Sequence, residues 1–494
     1  MGNVYIGDSS SKARELKNAY IGVSGVARKI KAIYVGVNGV AKLVWEAIKK
    51  YFSKYTNITM SPSIPFYNYA YSDSTTQTRS ASITSYKKSE KLPYGIICDT
   101  HTSRDDGTGT TYYIKSIQKF SIDNNSNMTN VGRITYNYSW GGTRYDGSWY
   151  NSLGTNCVFY TELGNYLFMC LQSTDDGDVT NNYYAIRDWS NNTICSADFY
   201  APGVWYPDEE LPRSGAAFSD TTMIVGVASS SKVRIGIVNF NGSSLTQTYY
   251  YPNFIDSKGT VYNLRTLYRH PVNVTRLEGN VGIITFQGAT YNYCEEATGG
   301  TFIIAFRLNN DGSLTFGKTM YVKEGYSGNE NTSNGILLAT DKNHAVMYEN
   351  YYSSGSSSTY YSKKWFALYI DDNLNISITD RYNVYDRSGF YSSENFGINR
   401  IGSSNTFAIA DSKSYTDSSK NFGLYLYKLD TTTNKIVSLG EKMLPATSNV
   451  PYGHSRGLYN FAPLGDDKII SPYAAAAVVN ATTTDLYAYV GSFE

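Results

Sequence analysis

Residues 280–313 read NVGIITFQGATYNYCEEATGGTFIIAFRLNNDGS and contain the pattern that decides the fold. A polar turn ending at Asn280 precedes an apolar segment, and a polar loop then leads to a second apolar segment, Phe302–Phe306. An Asn-Asp-Gly-Ser turn follows. Asn and Gly favour tight turns, whereas β-branched and aromatic residues favour strands. The stretch therefore predicts short antiparallel strands joined by turns, with a further strand after Ser313.

The same unit recurs along most of the chain. Turn residues before six of the apolar strands are 56, 59, 63, 62 and 62 residues apart; they are Asn165, Thr221, Asn280, Asn343, Asn405 and Asp467. About seven four-stranded units at nearly constant spacing are typical of a β-propeller. The alternative is a series of β-sandwiches, which predicts strands every 8–12 residues without a period near 60.

The two ends of this series complement each other. The seventh unit stops at residues 486–490 without an outer strand, and an unassigned β-segment, residues 58–66, precedes the first unit. That segment could complete the last sheet and close the ring, because the prolines Pro62 and Pro65 are tolerated on an outermost strand. The predicted fold is therefore all-β: residues 58–494 form a seven-bladed β-propeller.

The first 46 residues contain a different, shorter repeat. A Tyr-x-Gly element appears three times, at Tyr5, Tyr20 and Tyr34, and Ser24-Gly25 and Asn38-Gly39 carry residues suited to tight hairpin turns. A single hairpin is marginally stable in water, so such hairpins need partners. The interpretation is a hairpin repeat module over residues 1–46 and a linker over residues 47–57. The candidate anchoring residues are Tyr5, Gly7, Tyr20, Gly22, Gly25, Tyr34, Gly36, Gly39 and Trp45.

The second and third repeats, YIGVSGVAR (20–28) and YVGVNGVAK (34–42), carry a family resemblance. The opening resembles the N-terminal segments of virion structural proteins, of tail or fibre type, from phages and prophages of Gram-positive, clostridia-like bacteria. In the first repeat, Asp8–Ser11 replaces the Val-x-Gly turn. The resemblance covers under a tenth of the chain. It implies attachment to other virion or tail proteins, several copies in the particle, and a virion location after assembly in the bacterial cytoplasm.

Composition excludes several classes of partner. The chain has 43 basic and 42 acidic residues, which indicates neither nucleic acid nor an anionic membrane as partner. Residues 1–54 hold ten of the basic and three of the acidic residues; a nucleic-acid-binding arm is one interpretation, and a solvated or docking face is the favoured one. We expect no signal peptide and no membrane span. The five cysteines lack metal-ligand spacing and are expected to be free thiols.

No catalytic, metal or cofactor signature is apparent in the sequence. The four histidines form no metal or triad motif, and His344 is expected to be a polar turn residue. Residues 173–179, STDDGDV, match the Asp box of sialidase-like propellers only in part, and a calcium loop at the same place is incomplete. We therefore predict no catalytic residue, no metal and no cofactor.

The candidate ligand-binding residues lie in two aromatic segments between units, residues 138–150 and 204–210, which we expect to be loops. Tyr is unusually abundant, with 48 residues, and Tyr and Trp beside polar groups suit the recognition of a glycan or a protein surface. Inward packing of these rings is the equally favoured alternative. The candidates are Trp140, Arg144, Tyr145, Trp149, Tyr150, Trp205 and Tyr206.

Together these observations predict a non-enzymatic particle component that adheres to host cell-wall glycan or a surface protein. One alternative is a capsid or tail decorating subunit without receptor binding. A second is a glycan depolymerase, since propellers can also carry paired catalytic carboxylates.

Overall fold

The structure is a computed structural model of the whole chain. Beyond the strands named below, backbone and side chains are described for residues 87–92, 94–99, 115–123, 127–136, 155, 157–173, 181–198, 214–227, 233–259, 272–286, 301–322, 337–349, 364–384, 398–401, 405–409, 425–440, 461–465 and 468–470.

Six short strands form three separate antiparallel pairs at the N-terminus. The strands are β1 (Tyr5–Gly7), β2 (Ala13–Glu15), β3 (Ala19–Val23), β4 (Val26–Ile30), β5 (Ala32–Val37) and β6 (Val40–Glu46). In the second pair Val23 lies opposite Val26, and in the third Val37 lies opposite Val40, so two residues separate the strands of each. In the first pair Gly7 lies opposite Ala13.

Two strands and an eight-stranded sheet follow. The two strands are β7 (Ile58–Met60) and β8 (Ile64–Ala70). The sheet follows chain order through β9 (Arg79–Lys88), β10 (Gly95–Asp105), β11 (Thr111–Ile122), β12 (Met128–Thr143), β13 (Trp149–Leu163), β14 (Tyr166–Asp175), β15 (Asp178–Arg187) and β16 (Thr193–Asp198). Pairing between β12 and β13 is confined to residues 138–143 and 149–154, so the sheet consists of two four-stranded runs.

Three further sheets follow the same up-and-down order. The first has β17 (Ser214–Ala217), β18 (Thr222–Ala228), β19 (Val233–Phe240) and β20 (Leu245–Tyr250). In the second, both edge strands are split: β21 (Leu264–Thr266) and β22 (Asn273–Arg276) pair with β23 (Val281–Thr290), while β25 (Leu314–Phe316) and β26 (Met320–Val322) pair with β24 (Gly300–Leu308). The third has β27 (Ile336–Ala339), β28 (His344–Ser354), β29 (Thr359–Ile370) and β30 (Ile376–Tyr385).

The last two sheets complete the series. One has β31 (Gly397–Ile401), β32 (Thr406–Ser412), β33 (Phe422–Asp430) and β34 (Lys435–Leu444). The other has β35 (Ala462–Leu464), β36 (Lys468–Tyr473) and β37 (Thr483–Phe493), whose outer neighbours are β7 and β8. The described residues contain no helix, and the all-β prediction is confirmed. Accordingly, none of them form a helix that is long and apolar enough to cross a membrane.

A recurring backbone hydrogen bond confirms the repeat that the turn residues predicted. In four sheets, the backbone oxygen of the turn residue before the second strand accepts a hydrogen bond from the backbone N–H of the last or next-to-last residue of the third strand. The pairs are Phe240 to Thr221 (2.8 Å), Leu308 to Asn280 (2.9 Å), Ile370 to Asn343 (2.8 Å) and Leu429 to Asn405 (3.0 Å). The spacing in sequence therefore corresponds to equivalent positions in successive sheets.

The core lies between sheets, because the central strands are buried on both faces. In β18, Met223 and Val225 pack in a cluster shared with β13–β15, whereas Ile224 packs in a cluster shared with β23 and β24. Successive strand side chains point to opposite faces, so each central strand serves two interfaces. Burial of one such side chain stabilises the fold by about 1.5–3 kcal/mol.

The same alternation continues in β28 and between the two runs of the eight-stranded sheet. Met347 belongs to the cluster shared with β23 and β24, and its neighbour Val346 to the cluster shared with β32 and β33. Ile117 of the first run and Met169 of the second share another cluster. The two runs therefore pack face to face, as two separate sheets would.

Close approach of neighbouring sheets depends on glycine at several described positions, one of which is Gly226. A Cβ atom at Gly226 of β18 would lie 2.6 Å from Val272 Cγ1 and 2.7 Å from the Val272 backbone oxygen of the next sheet. Real Cβ atoms do not approach so closely, so a larger side chain there would push the two sheets apart.

From the second unit onward, the first strands of consecutive units contact one another in order, and the first strand of the last unit contacts the first strand of the first unit. β13 contacts β17, β17 contacts β22, β22 contacts β27, β27 contacts β31, β31 contacts β35, and β35 contacts β9. The arrangement is propeller-like.

Strands from both ends of the chain close this ring, as the sequence predicted. Phe493 of β37 pairs with Ile58 of β7, and Thr483 pairs with Ala70 of β8. The register shifts opposite Pro65, between Leu486 and Tyr487. A proline has no N–H for the ladder, so this irregularity on an outermost strand has a physical cause.

Removal of the closing strands should open the ring. A chain that starts at residue 71 is expected to unfold at a lower temperature than the full chain, because β37 loses its outer partner. The matched control starts at residue 57 and should keep the melting temperature of the full chain within a few degrees. Circular dichroism melts check both; equal melting of the two truncated chains would contradict the closure.

Candidate functional site

One end of the ring is built from short turns. We call it the short-turn end: it comprises the turns between the first and second strands and between the third and fourth strands of each unit. These turns are two to six residues long; they are residues 89–94, 123–127, 164–165, 188–192, 218–221, 241–244, 277–280, 309–313, 340–343, 371–375, 402–405, 431–434 and 465–467.

Contacts between neighbouring sheets show that these turns share one end. His344 Nε2 lies 2.8 Å from Asn434 Oδ1 in a turn of the next sheet. Arg307 donates to the Asp372 backbone oxygen at 2.8 Å. His344 Nδ1 also lies 2.8 Å from Asp341 Oδ1 in the preceding turn. His344 therefore has the expected polar partners, although it begins β28 directly after the turn in which the sequence placed it.

Asp and Asn side chains in the outer turns form hydrogen bonds within their own turn. The Asp371 carboxylate accepts hydrogen bonds from the backbone N–H groups of Asn373 and Asn375 and from the Asn375 side chain, at 2.8–2.9 Å. Asp188 accepts the same set from Ser190 and Asn192. Such bonds hold a turn without help from the rest of the chain.

The same hydrogen bonds stabilise the ionised form of these carboxylates. Bonds from the Asn192 side chain and backbone lower the pKa of Asp188 below its ordinary value of 3.8, and bonds from Asn375 do the same for Asp371. Ser313 lowers the pKa of Asp311, and the Thr432 backbone N–H lowers that of Asp430. In these four outer turns, hydrogen bonds from nearby residues of the same turn stabilise an ionised aspartate.

A buried carboxylate, Glu162, joins the first two units at this end. Its oxygens accept hydrogen bonds from Ser89 Oγ at 3.0 and 3.1 Å and from the Glu90 backbone N–H at 2.6 Å. Lys119 Nζ lies 2.5 Å from Glu162 Oε1, and both side chains are under a tenth exposed. A buried carboxylate needs such partners to offset the loss of hydration.

The turn that holds Ser89 also reaches other sheets. Lys91 Nζ forms an ion pair of 2.7 Å with Asp220, in the turn between β17 and β18. In the opposite direction, Tyr94 meets the last sheet: Lys468 Nζ lies 5.8 Å from the Tyr94 ring centroid, and a Cβ at Gly465 would lie 2.6 Å from the same ring. Residues 89–94 therefore bridge four units near the ring closure.

A second polar cluster lies deeper between the first two units. Lys87 Nζ donates to the Tyr160 backbone oxygen at 2.5 Å and lies 4.8 Å from the Phe159 ring centroid. Burial lowers the pKa of Lys87 to about 8 and raises the pKa of the nearby Cys157 thiol well above 9.0. An amine with this pKa is partly neutral near pH 8, and the thiol stays protonated.

The described cysteines are free thiols, as expected. Burial raises the pKa of Cys170 to about 12 and that of Cys98 well above its ordinary value. The thiolate is the reactive form, so these cysteines are poor nucleophiles. Cys157 and Cys195 are partly exposed, and Cys294 lies outside the described residues.

The remaining connections lie at the opposite end of the ring. We call it the long-connection end: it comprises the segments between the second and third strands and between successive units. The connections between successive units run from five to seventeen residues; they are residues 71–78, 144–148, 199–213, 251–263, 323–335, 386–396 and 445–461.

The predicted ligand-binding residues lie within or beside two of these connections, residues 144–148 and 199–213. Trp140 lies in β12, opposite Ser152, and Trp149 and Tyr150 begin β13. The prediction of a loop over residues 138–150 is therefore wrong for most of the segment: the strands continue to Thr143 and from Trp149. Cross-strand pairing overrides the turn tendency of Gly141 and Gly142. Arg144, Tyr145, Trp205 and Tyr206 lie outside the described residues.

The predicted anchoring residues lie in the N-terminal pairs. Tyr5 and Gly7 are in β1, Tyr20 and Gly22 in β3, Tyr34 and Gly36 in β5, and Trp45 in β6. Gly22 lies opposite Ala27 and Gly36 opposite Ala41, which is the same register in both copies. Gly25 and Gly39 lie outside the described residues, between the paired strands.

The remaining sequence candidate is the acidic segment 173–179. Asp175 ends β14 and Asp178 begins β15, so the segment is a hairpin between a second and a third strand. Within the described part of the chain, no three His, Cys, Asp or Glu side chains are grouped so that they could hold a metal ion. The Glu162 cluster was not predicted from the sequence, because its partners Lys119 and Ser89 are distant along the chain.

Comparisons with known proteins give low similarities. No protein-family model and no curated protein matches the chain. Solved structures that resemble it include a puromycin-hydrolysing peptidase of Mycobacterium tuberculosis, with a TM-score of 0.36, 10% identity and coverage of 76% of this chain and 52% of that one. The chain thus spans about half the length of the peptidase.

Two further solved structures show a similar degree of likeness. The K499G mutant of NanB sialidase from Streptococcus pneumoniae has a TM-score of 0.33 and 11% identity, over 87% of this chain and 70% of that one. The parainfluenza virus 5 hemagglutinin-neuraminidase ectodomain has a TM-score of 0.35 and 10% identity, over 88% and 85%. These scores are too low to support an inference.

Neutralising Glu162 should destabilise the ring much more than breaking the exposed ion pair. Glu162→Gln leaves Lys119 buried without its counter-ion, and removing one partner of a buried pair costs about 3–5 kcal/mol. Lys91→Ala, in a pair with exposed side chains, should cost about 0–1 kcal/mol. Urea unfolding of both variants measures the difference in unfolding free energy. Equal losses of that free energy would show that Glu162 contributes no more to stability than the exposed ion pair.

The outer turns should make the protein sensitive to acid. Because the folded-state pKa values of Asp188 and Asp371 are lowered, their stabilisation is present above pH 3.8 and is lost as the pH falls through those lowered values. The double variant Asp188→Asn, Asp371→Asn should show a smaller drop in melting temperature between pH 5 and pH 2.5 than the wild type. Parallel melting curves for the two proteins would contradict this assignment.

Proposed function

We propose that this chain is a non-enzymatic component of a phage or phage-tail-like particle, anchored by residues 1–46 and displaying a seven-bladed propeller that adheres to the host surface. The eight-stranded sheet then supplies two of the seven blades. The other blades are the five sheets that follow it.

One observation carries the proposal: the ring is completed by β7 and β8, so it needs no strand that precedes them. Among the strands that the structure describes, β1–β6 pair only with each other. Two-stranded hairpins need further contacts to be stable in water. A segment that is repeated, hairpin-forming and unused by the ring suits attachment to another protein, and its sequence resembles phage structural proteins.

Adhesion is favoured over a purely structural role by the aromatic connections. Trp140 and Trp149 lie at the junction of the first two units, and Trp205 lies in the connection that follows the second unit. Rings beside Arg, Asp and Asn can stack on a sugar and hydrogen-bond to it.

Deletion of residues 2–46 should remove the protein from particles while leaving the ring folded, because the anchor is separate from the closing strands. Immunoblots of purified particles, with circular dichroism of the purified variant, check both points. The triple variant Trp140→Ala, Trp149→Ala, Trp205→Ala serves as the matched control: it should be incorporated normally and lose binding to host cells.

The two arms of this experiment separate the competing functions. Normal incorporation of the deletion variant would reject the anchoring role. Unchanged cell binding by the folded triple variant would reject the aromatic connections as the adhesive surface and favour a decorating subunit. Release of new reducing ends from host wall polysaccharide by the purified protein would favour the depolymerase alternative.

A further inference from the structure

The register of the closing sheet determines the end at which the N-terminal part of the chain joins the ring. β37 is the third strand of its sheet and runs from Thr483 to Phe493. In the other sheets, the end of the third strand leads into a turn of the short-turn end. Phe493 pairs with Ile58, the first residue of β7, so the chain enters the ring at the short-turn end.

The aromatic connections lie at the opposite end. β8 ends at Ala70 opposite Thr483, and the next connection, residues 71–78, leads from there into β9. Residues 144–148 and 199–213 are equivalent connections between later units, so they belong to the same long-connection end. The anchor segment and the candidate adhesive residues are therefore attached to opposite ends of the ring.

The chemistry of the short-turn end suits fixed packing. The polar side chains of its outer turns already bond to their own backbone: Asn241 Oδ1, for example, accepts from the N–H groups of Ser243 and Ser244 at 3.0 and 2.8 Å. The bond from Arg307, near the end of β24, to the Asp372 backbone oxygen also ties the turn 371–375 to the neighbouring sheet. A preorganised surface loses little conformational freedom when it packs against a rigid neighbour.

We propose that the ring is displayed with its short-turn end toward the particle, packed against other particle proteins, and its long-connection end outward as the contact surface for the host. This orientation rests on the proposed function. It adds to that function by assigning a partner to each end of the ring.

Fluorescence resonance energy transfer in the purified full chain tests whether the N-terminal hairpins lie nearer to the short-turn end. A donor at Ser24 is combined with an acceptor at Ser243, in the short-turn end, or at Ser230, in a connection of the same sheet at the other end. β19 spans eight residues between these sites, or about 26 Å. Labels are attached through genetically encoded amino acids, since the chain has five cysteines. Transfer should be higher to residue 243; equal or reversed efficiencies would overturn the polarity.

Epitope tags on intact particles test the orientation itself. A tag inserted in residues 229–232 should bind antibody on particles, whereas a tag in residues 241–244 should be shielded, and both should bind in the purified protein. An accessible 241–244 tag with a shielded 229–232 tag would overturn the orientation and leave the particle role intact. If neither the tagged nor the untagged protein is found in particles, the proposed function is wrong, and so is the orientation that rests on it. The energy-transfer result would then still report the end at which the N-terminal part of the chain joins the ring.

Discussion

Apolar packing between sheets is the constraint on which the rest of this structure depends. Each central strand buries both faces, so each sheet needs a neighbour on either side. A row of such sheets would leave one bare apolar face at each end, and exposed faces of that size promote association. Closing the row into a ring removes both. The pairing of β7 and β8 with β37 completes the last sheet and so meets this requirement.

The polar groups of the molecule are arranged around that apolar packing. Glu162 accepts hydrogen bonds from Ser89 and Glu90 and forms an ion pair with Lys119. These contacts join the first two units of the ring. The outer turns are held by their own Asp and Asn side chains. Because these hydrogen bonds are local, the geometry of each turn depends mainly on residues within it.

This division gives the protein two ends with different physical character. One end has short turns and is where the N-terminal part of the chain joins the ring; the other has longer connections, several of which contain Tyr and one of which contains Trp205. A protein that must be held by a particle and reach a surface benefits from such a separation, because changes in the recognition segments leave the anchor and the core undisturbed. Many functions use a propeller, so the proposed function depends on the segments at the two ends and not on the ring itself.

The sequence by itself determined the local elements: the apolar strands, the turns at Thr221, Asn280, Asn343 and Asn405, and the closing segment near Ile58. These depend on residue type and spacing within a few residues, which a sequence displays directly. Tertiary structure alone decided that Glu162 meets Ser89 and Lys119, that residues 138–143 pair as a strand, and that the chain enters at the short-turn end. Such features depend on register and on packing between residues far apart in the chain, and local sequence carries no signal for either.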